Sequence, residues 1–150
     1  MGDGYCRGVI LGYLWQDEAL SLRAASRACR EAVAEHPWED LKCDIYDLPR
    51  STICDSVAAW RRCFPHARAA SISYNQTVTD ADFVHLAGIR KLSMRNCDQD
   101  TISDAAFVHL AGIHTLNMHS CNQDTITDAA FLHLSGIHTL DISRCSQFSP

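Results

Sequence analysis

The sequence predicts an α/β fold, a short right-handed solenoid with parallel strands on a concave face and helices on a convex face, behind an N-terminal helical cap. Three observations lead there. Residues 80–89, Asp-Ala-Asp-Phe-Val-His-Leu-Ala-Gly-Ile, return at 104–113 as Asp-Ala-Ala-Phe-Val-His-Leu-Ala-Gly-Ile and at 128–137 as Asp-Ala-Ala-Phe-Leu-His-Leu-Ser-Gly-Ile, so the period is 24 residues. The same step relates Leu92, Leu116 and Leu140, then Met94, Met118 and Ile142, then Cys97, Cys121 and Cys145, with no insertion. Ahead of the repeats, residues 18–35 are rich in strong helix formers and carry no such period.

The cap comes first. Leu22, Ala25, Cys29 and Ala32, flanked by Leu20 and Val33, recur at three- and four-residue steps, while Arg23, Arg27, Arg30 and Glu31 cover the other side. This predicts one amphipathic helix, started by Asp17 as N-cap and ended at His36-Pro37, because a residue before proline is pushed out of the helical region.

Leu41 to Tyr46 alternates apolar and polar residues and predicts an edge strand that caps the repeats, with Asp47 to Arg50 as its turn. Ser51 then has the position of an N-cap for a helix over 52–64, with Ile53, Val57, Trp60 and Phe64 on one face and Pro65 as the stop. Residues 64–72 can be laid over 86–94, which makes a degenerate first coil two residues shorter than its successors. In the full coils Ile89, Leu92, Met94, Cys97, Ile102, Phe107 and Leu110 point inward. Each coil has an apolar face that it cannot bury alone, so stacking on neighbours supplies the stability.

Two resemblances follow from these residues. Ile10-Leu11-Gly12-Tyr13-Leu14, then the run from Ala19 to Arg30, then Trp38-Glu39-Asp40-Leu41 resembles an F-box, although Gly2-Asp3-Gly4-Tyr5 stands where that family has Leu-Pro-x-Glu. The pattern Ile-x-x-Leu-x-Met-x-x-Cys resembles the cysteine-containing type of leucine-rich repeat found in F-box proteins, down to Asp104 and Asp128 at the helix starts, where a carboxylate can satisfy free amides. The resemblance divides the chain into an F-box-like cap over 1–41, a linking strand and first capping helix over 42–66, and leucine-rich repeats over 67–150, the last incomplete. It implies a substrate-recognition subunit of a cullin-RING ubiquitin ligase, docking on the adaptor through Leu11, Leu14, Leu22, Ala25 and Cys29. The alternative is a structural or scaffolding repeat protein whose cap only seals the core.

Specificity is expected where the coils disagree. The strand positions between inward residues read Lys91, Ser93, Arg95 and Asn96 in one coil, Thr115, Asn117, His119 and Ser120 in the next, and Thr139, Asp141, Ser143 and Arg144 in the third. Variable residues on an unchanging scaffold predict a protein-binding concave face, centred on Lys91, Ser93, Arg95, Thr115, Asn117, His119, Asp141, Ser143 and Arg144.

Composition narrows the function further. Net charge is -5 and neither half is basic, which argues against a nucleic-acid binder, since displacing counterions needs clustered Lys and Arg. No apolar run approaches a membrane span, and no secretory signal opens the chain. Eight cysteines with three at one phase of the repeat read as buried small side chains in a reducing compartment, cytoplasmic or nuclear. His85, His109 and His133 form a second ladder, read as duplicated with the repeat and not as a metal set. No Gly-rich phosphate loop or activated nucleophile is present, so neither catalysis nor a cofactor is expected. The sequence stops at Ser146-Gln-Phe-Ser-Pro150, leaving the last coil half made, so either the chain is a fragment or this uncapped end associates, self-association included.

Overall fold

The computed structural model of the chain describes residues 11–41, 45 and 56–148. It is a mixed α/β arrangement built on a four-stranded parallel sheet, with β1 Ala69–Ser71, β2 Lys91–Ser93, β3 Thr115–Asn117 and β4 Thr139–Asp141 in that spatial order. The register is that of the repeat: Ala70 lies beside Leu92, Leu92 beside Leu116, and Leu116 beside Leu140.

A row of shared carbonyls fixes this register. The Arg68 carbonyl accepts the amides of Arg90 and Lys91 at 2.6 and 3.0 Å, that of Arg90 accepts His114 and Thr115 at 2.9 Å each, and that of His114 accepts His138 and Thr139 at 3.0 Å each. The row starts earlier than β1. Trp38 O takes the amides of Arg68 and Ala69 at 2.7 and 3.1 Å, and Ile45 N donates to Ser71 O at 2.8 Å. Trp38 and Ile45 therefore lie against the edge of β1 opposite β2. The edge strand expected from Leu41 to Tyr46 falls, apart from Leu41 and Ile45, outside the described residues.

One apolar core runs from Leu11 in the cap to Cys145 behind β4, and the inward residues read from the period, Ile89, Leu92, Met94, Cys97, Ile102, Phe107 and Leu110, are all buried. Burial fades at β4, where Leu140 is 37% exposed and Ile137 and Ile142 are only partly covered.

Four local expectations are corrected. The single cap helix is two, α1 Gln16–Ala25 and α2 Arg27–Glu35, broken at Ser26, whose extended backbone lets its hydroxyl accept the Cys29 amide at 3.1 Å. Asp17 does not cap α1; the residue before the helix is Trp15, and the Glu18 carboxylate accepts its amide at 2.8 Å. The next helix, α3 Val57–Cys63, is capped by Ser56 accepting Ala59 N, whereas residues 51–55 lie outside the described range. Its buried face of Val57, Trp60 and the following Phe64 is the expected one.

The fourth correction concerns the segments behind the sheet, which are mainly 3₁₀ and not α-helical. They span Asp80–Leu86, then a single α turn, α4 Asp104–Phe107, continuing as 3₁₀ over Val108–Leu110, then Asp128–His133. A 3₁₀ helix rises about 2.0 Å per residue against about 1.5 Å for α, so a short segment covers more of the sheet's back. It also eclipses side chains three apart. Phe83 with Leu86 and Phe107 with Leu110 are spaced that way, and all four are buried. Gly88, Gly112 and Gly136 turn the chain back into the strands at φ near +80°, where only glycine is unstrained.

Candidate functional site: the open face of the sheet

Strand residues alternate between the core and the open face, so Lys91, Thr115, Asn117, His119 and Asp141 stand partly accessible and Arg95, Thr139, Ser143 and Arg144 exposed. Ser93 does not join them. It is 8% exposed, with its hydroxyl 2.8 Å from that of Ser73, which in turn is 3.0 Å from that of Ser71. The expected recognition role of Ser93 is thus replaced by a buried hydroxyl chain.

Toward β4 the face is organised by two matching turns. Asn117 Oδ1 accepts the His119 amide at 3.0 Å, and one repeat later Asp141 Oδ1 accepts the Ser143 amide at 3.0 Å. The Ser143 hydroxyl also donates to Asp141 Oδ1, and His119 Nδ1 lies 2.7 Å from Ser143 Oγ. These bonds fix the imidazole's tautomer. The single hydroxyl proton goes to Asp141, so His119 Nδ1 must carry the hydrogen that Ser143 Oγ accepts. The order is the reverse of nucleophilic activation, in which a carboxylate orients the imidazole and the imidazole takes the serine proton. The Ser143 hydroxyl and amide, followed by the charges of His119 and Arg95, hold the Asp141 carboxyl below its ordinary range.

At the other end the cap reaches onto the same face. Glu39, the residue after Trp38, brings its carboxylate to 3.5 Å from the Arg68 guanidinium and 3.8 Å from the Lys91 ammonium. Nothing in the repeat marked Glu39 as a member of this face, because it precedes the first recognisable coil.

The five cap residues expected to dock on a partner are scattered in burial. Leu11 is 5% exposed and belongs to the core, Leu14 and Leu22 pack partly against it, Cys29 is half-buried, and Ala25 is exposed. The cap is held by polar contacts as well. Buried Gln16 accepts Trp60 Nε1 at 2.7 Å and donates to Asp40 O and Ala69 O at 3.3 Å each, and Arg23 donates to Cys63 O at 3.1 Å.

The cysteine ladder is structural in its bonding. Cys97, Cys121 and Cys145 donate their thiols to the carbonyls of Ile72, Met94 and Met118 at 3.0, 2.9 and 3.0 Å, each stitching its turn to the previous repeat. Burial pushes the Cys121 thiol up to about 12 and that of Cys145 in the same direction. His85 and His109 are partly buried, His133 is exposed, and no cluster of three or more metal-ligating side chains occurs among the described residues. A different histidine pair meets instead: His114 and His138 stack at 4.6 Å with their planes 13° apart. Among the described residues no helix is long and apolar enough to cross a membrane.

No family model matches the chain, and no curated protein matches its sequence.

Proposed function

We propose that the protein is a short leucine-rich-repeat solenoid with an F-box-like cap, acting as a protein interaction module whose open strand face selects the partner. The observation that carries this reading is the contrast within one sheet. Leu92 and Leu116 are fully buried and identical in role, whereas the residues facing out from the same strands change from Lys91 and Arg95 to Thr115 and His119. A fixed core under a varied surface is what a recognition face requires.

For the cap, the resemblance supports docking on the adaptor subunit of a cullin-RING ligase, making the protein the substrate-selecting subunit. Leu14, Leu22, Ala25 and Cys29 supply the surface, with Leu11 buttressing it from the core. A second reading is favoured by the Gln16 bonds to Trp60 and Ala69: the cap exists to seal the first repeat, and the protein is a scaffold without a ligase role. Co-expression with a eukaryotic adaptor subunit separates them. Co-purification that is lost in an Ala25→Glu, Cys29→Glu double variant with unchanged thermal stability supports the ligase reading, and its absence in the parent protein supports the scaffold.

A further inference from the structure

We propose that the open strand face takes a carboxylate-rich segment of a protein partner, an inference that rests on reading this face as the recognition surface. Its basis is a segregation of charge. From Arg68 onward the sequence holds five Lys and Arg residues, and all of them, Arg68, Arg90, Lys91, Arg95 and Arg144, lie in a strand or within three residues of one. The acids are placed elsewhere. Asp80, Asp104 and Asp128 open the helical segments behind the sheet and Asp82 lies within the first, Asp98, Asp100 and Asp124 sit in the loops that follow β2 and β3, and only Asp141 is in a strand.

The molecule itself shows what these cations hold. Glu39 places a carboxylate between Arg68 and Lys91, occupying the end of the face nearest the cap. Arg90, Arg95 and Arg144 form no ion pair among the described residues, and so remain open to an incoming anion. Asp141 is the one acid in a strand and opposes such a ligand only at the β4 end, where the charge of Arg95 acts on it. Nucleic acid fits less well. With a net charge of -5, the rest of the molecule repels a long polyanion, whereas a short acidic segment meets only the face where the cations are gathered.

The test is a titration of the full chain with two fluorescent peptides, one alternating glutamate and serine, the other glutamine and serine, followed by anisotropy at low and high salt. The glutamate peptide is expected to bind at least about tenfold tighter, with the advantage lost near 0.5 M salt, where the screening length is about 4 Å. Arg95→Glu and Arg144→Glu should each weaken it by about fivefold or more, and Arg30→Glu, on the cap helix, should not. Equal affinity for the two peptides, indifference to Arg95→Glu in a variant that melts like the parent, or tighter binding of an oligonucleotide of equal charge would overturn the inference. A protein partner that protects the amides of β2 to β4 from exchange, yet binds Arg95→Glu unchanged, would sink the charge inference while the recognition reading stands. If protein partners bind without protecting those strands, both fail.

Discussion

The Asp104 carboxylate closes on Thr127 of the following repeat, one oxygen accepting its amide and the other its hydroxyl, each at 2.7 Å. Asp80 does the same to Ser103 at 2.7 and 2.6 Å. The resemblance suggested that Asp104 and Asp128 satisfy amides of their own helix starts. Instead Ser103 and Thr127 cap the helical segments, and each aspartate staples the next repeat's cap into place. Asp104→Ala should therefore cost about 1.5–3 kcal/mol, the range of hydrogen bonds to a charged group, read from urea denaturation. Asp128→Ala, with no following repeat among the described residues to staple, should change stability by less than about 0.5 kcal/mol.

Leu116 and Leu140 hold the same place in adjacent strands, but the first is fully buried and the second 37% exposed. Leu116→Ala leaves a cavity between two packed neighbours and should cost about 2–5 kcal/mol. Leu140→Ala should cost less than half of that. Equal losses in paired thermal melts would contradict the graded burial toward β4.

These contrasts show what was legible beforehand. The period gave the parallel register, the inward set from Ile89 to Leu110 and the strand face, because a residue repeated every 24 positions has one environment copied several times. It could not reveal Ser93 as buried, since that depends on Ser71 and Ser73 in the degenerate first repeat. Nor could it show the break at Ser26. The run of alanine and arginine around it favours helix by propensity, and a single hydroxyl that caps Cys29 N decides otherwise. One signal was present and unused: Val84, Val108 and Leu132 repeat in phase and stand 50%, 51% and 80% exposed, an outward stripe beside the inward Phe and Leu positions.

Among the described residues Arg61 has no carboxylate partner and instead donates to four backbone carbonyls: Nε to His85 at 2.6 Å, Nη1 to Ala67 and Pro65 at 3.1 and 3.3 Å, and Nη2 to Ala87 at 3.1 Å. Its guanidinium also lies 4.9 Å from the Trp60 ring centre. This fork ties α3 to the end of the first 3₁₀ segment, so lysine, with a single donor head, cannot replace it. Arg61→Lys should cost about 1.5–3 kcal/mol. The loss should appear in the denaturant midpoint, with exchange protection falling first at Leu86 to Ile89.

Tyr74, Asn96, Ser120 and Arg144 occupy one position of successive repeats, and all have φ between 53° and 60°. That conformation is strained for a residue with a Cβ, least for asparagine and aspartate, and unstrained for glycine. Ser120→Gly should accordingly change stability little or raise it by up to about 1 kcal/mol, the relief of strain set against the extra freedom of the unfolded chain. Gly112→Ala, at φ +82° with open space around the added carbon, should cost about 1 kcal/mol through backbone strain alone. A Gly112→Ala variant as stable as the parent would show that this corner relaxes.

Cys121 is fully buried and its thiol is raised from an ordinary value of 9.0 to about 12, chiefly by desolvation. Only the thiolate reacts, so maleimide at neutral pH should modify half-buried Cys29 and spare Cys121 and Cys97 until the protein is unfolded. Stability carries the same signature. Because the unfolded thiol ionises near 9 and the folded one near 12, the contribution of the protonated thiol is complete below about pH 9 and drains away as pH rises toward about 12. Urea midpoints should fall over that window in the parent more steeply than in Cys121→Ala, which is weaker at neutral pH through the lost bond to Met94 O but has no thiol to ionise at position 121. Parallel curves for the two proteins would mean that the thiol is hydrated in the folded state and that the ladder does not seal the repeats as its burial implies.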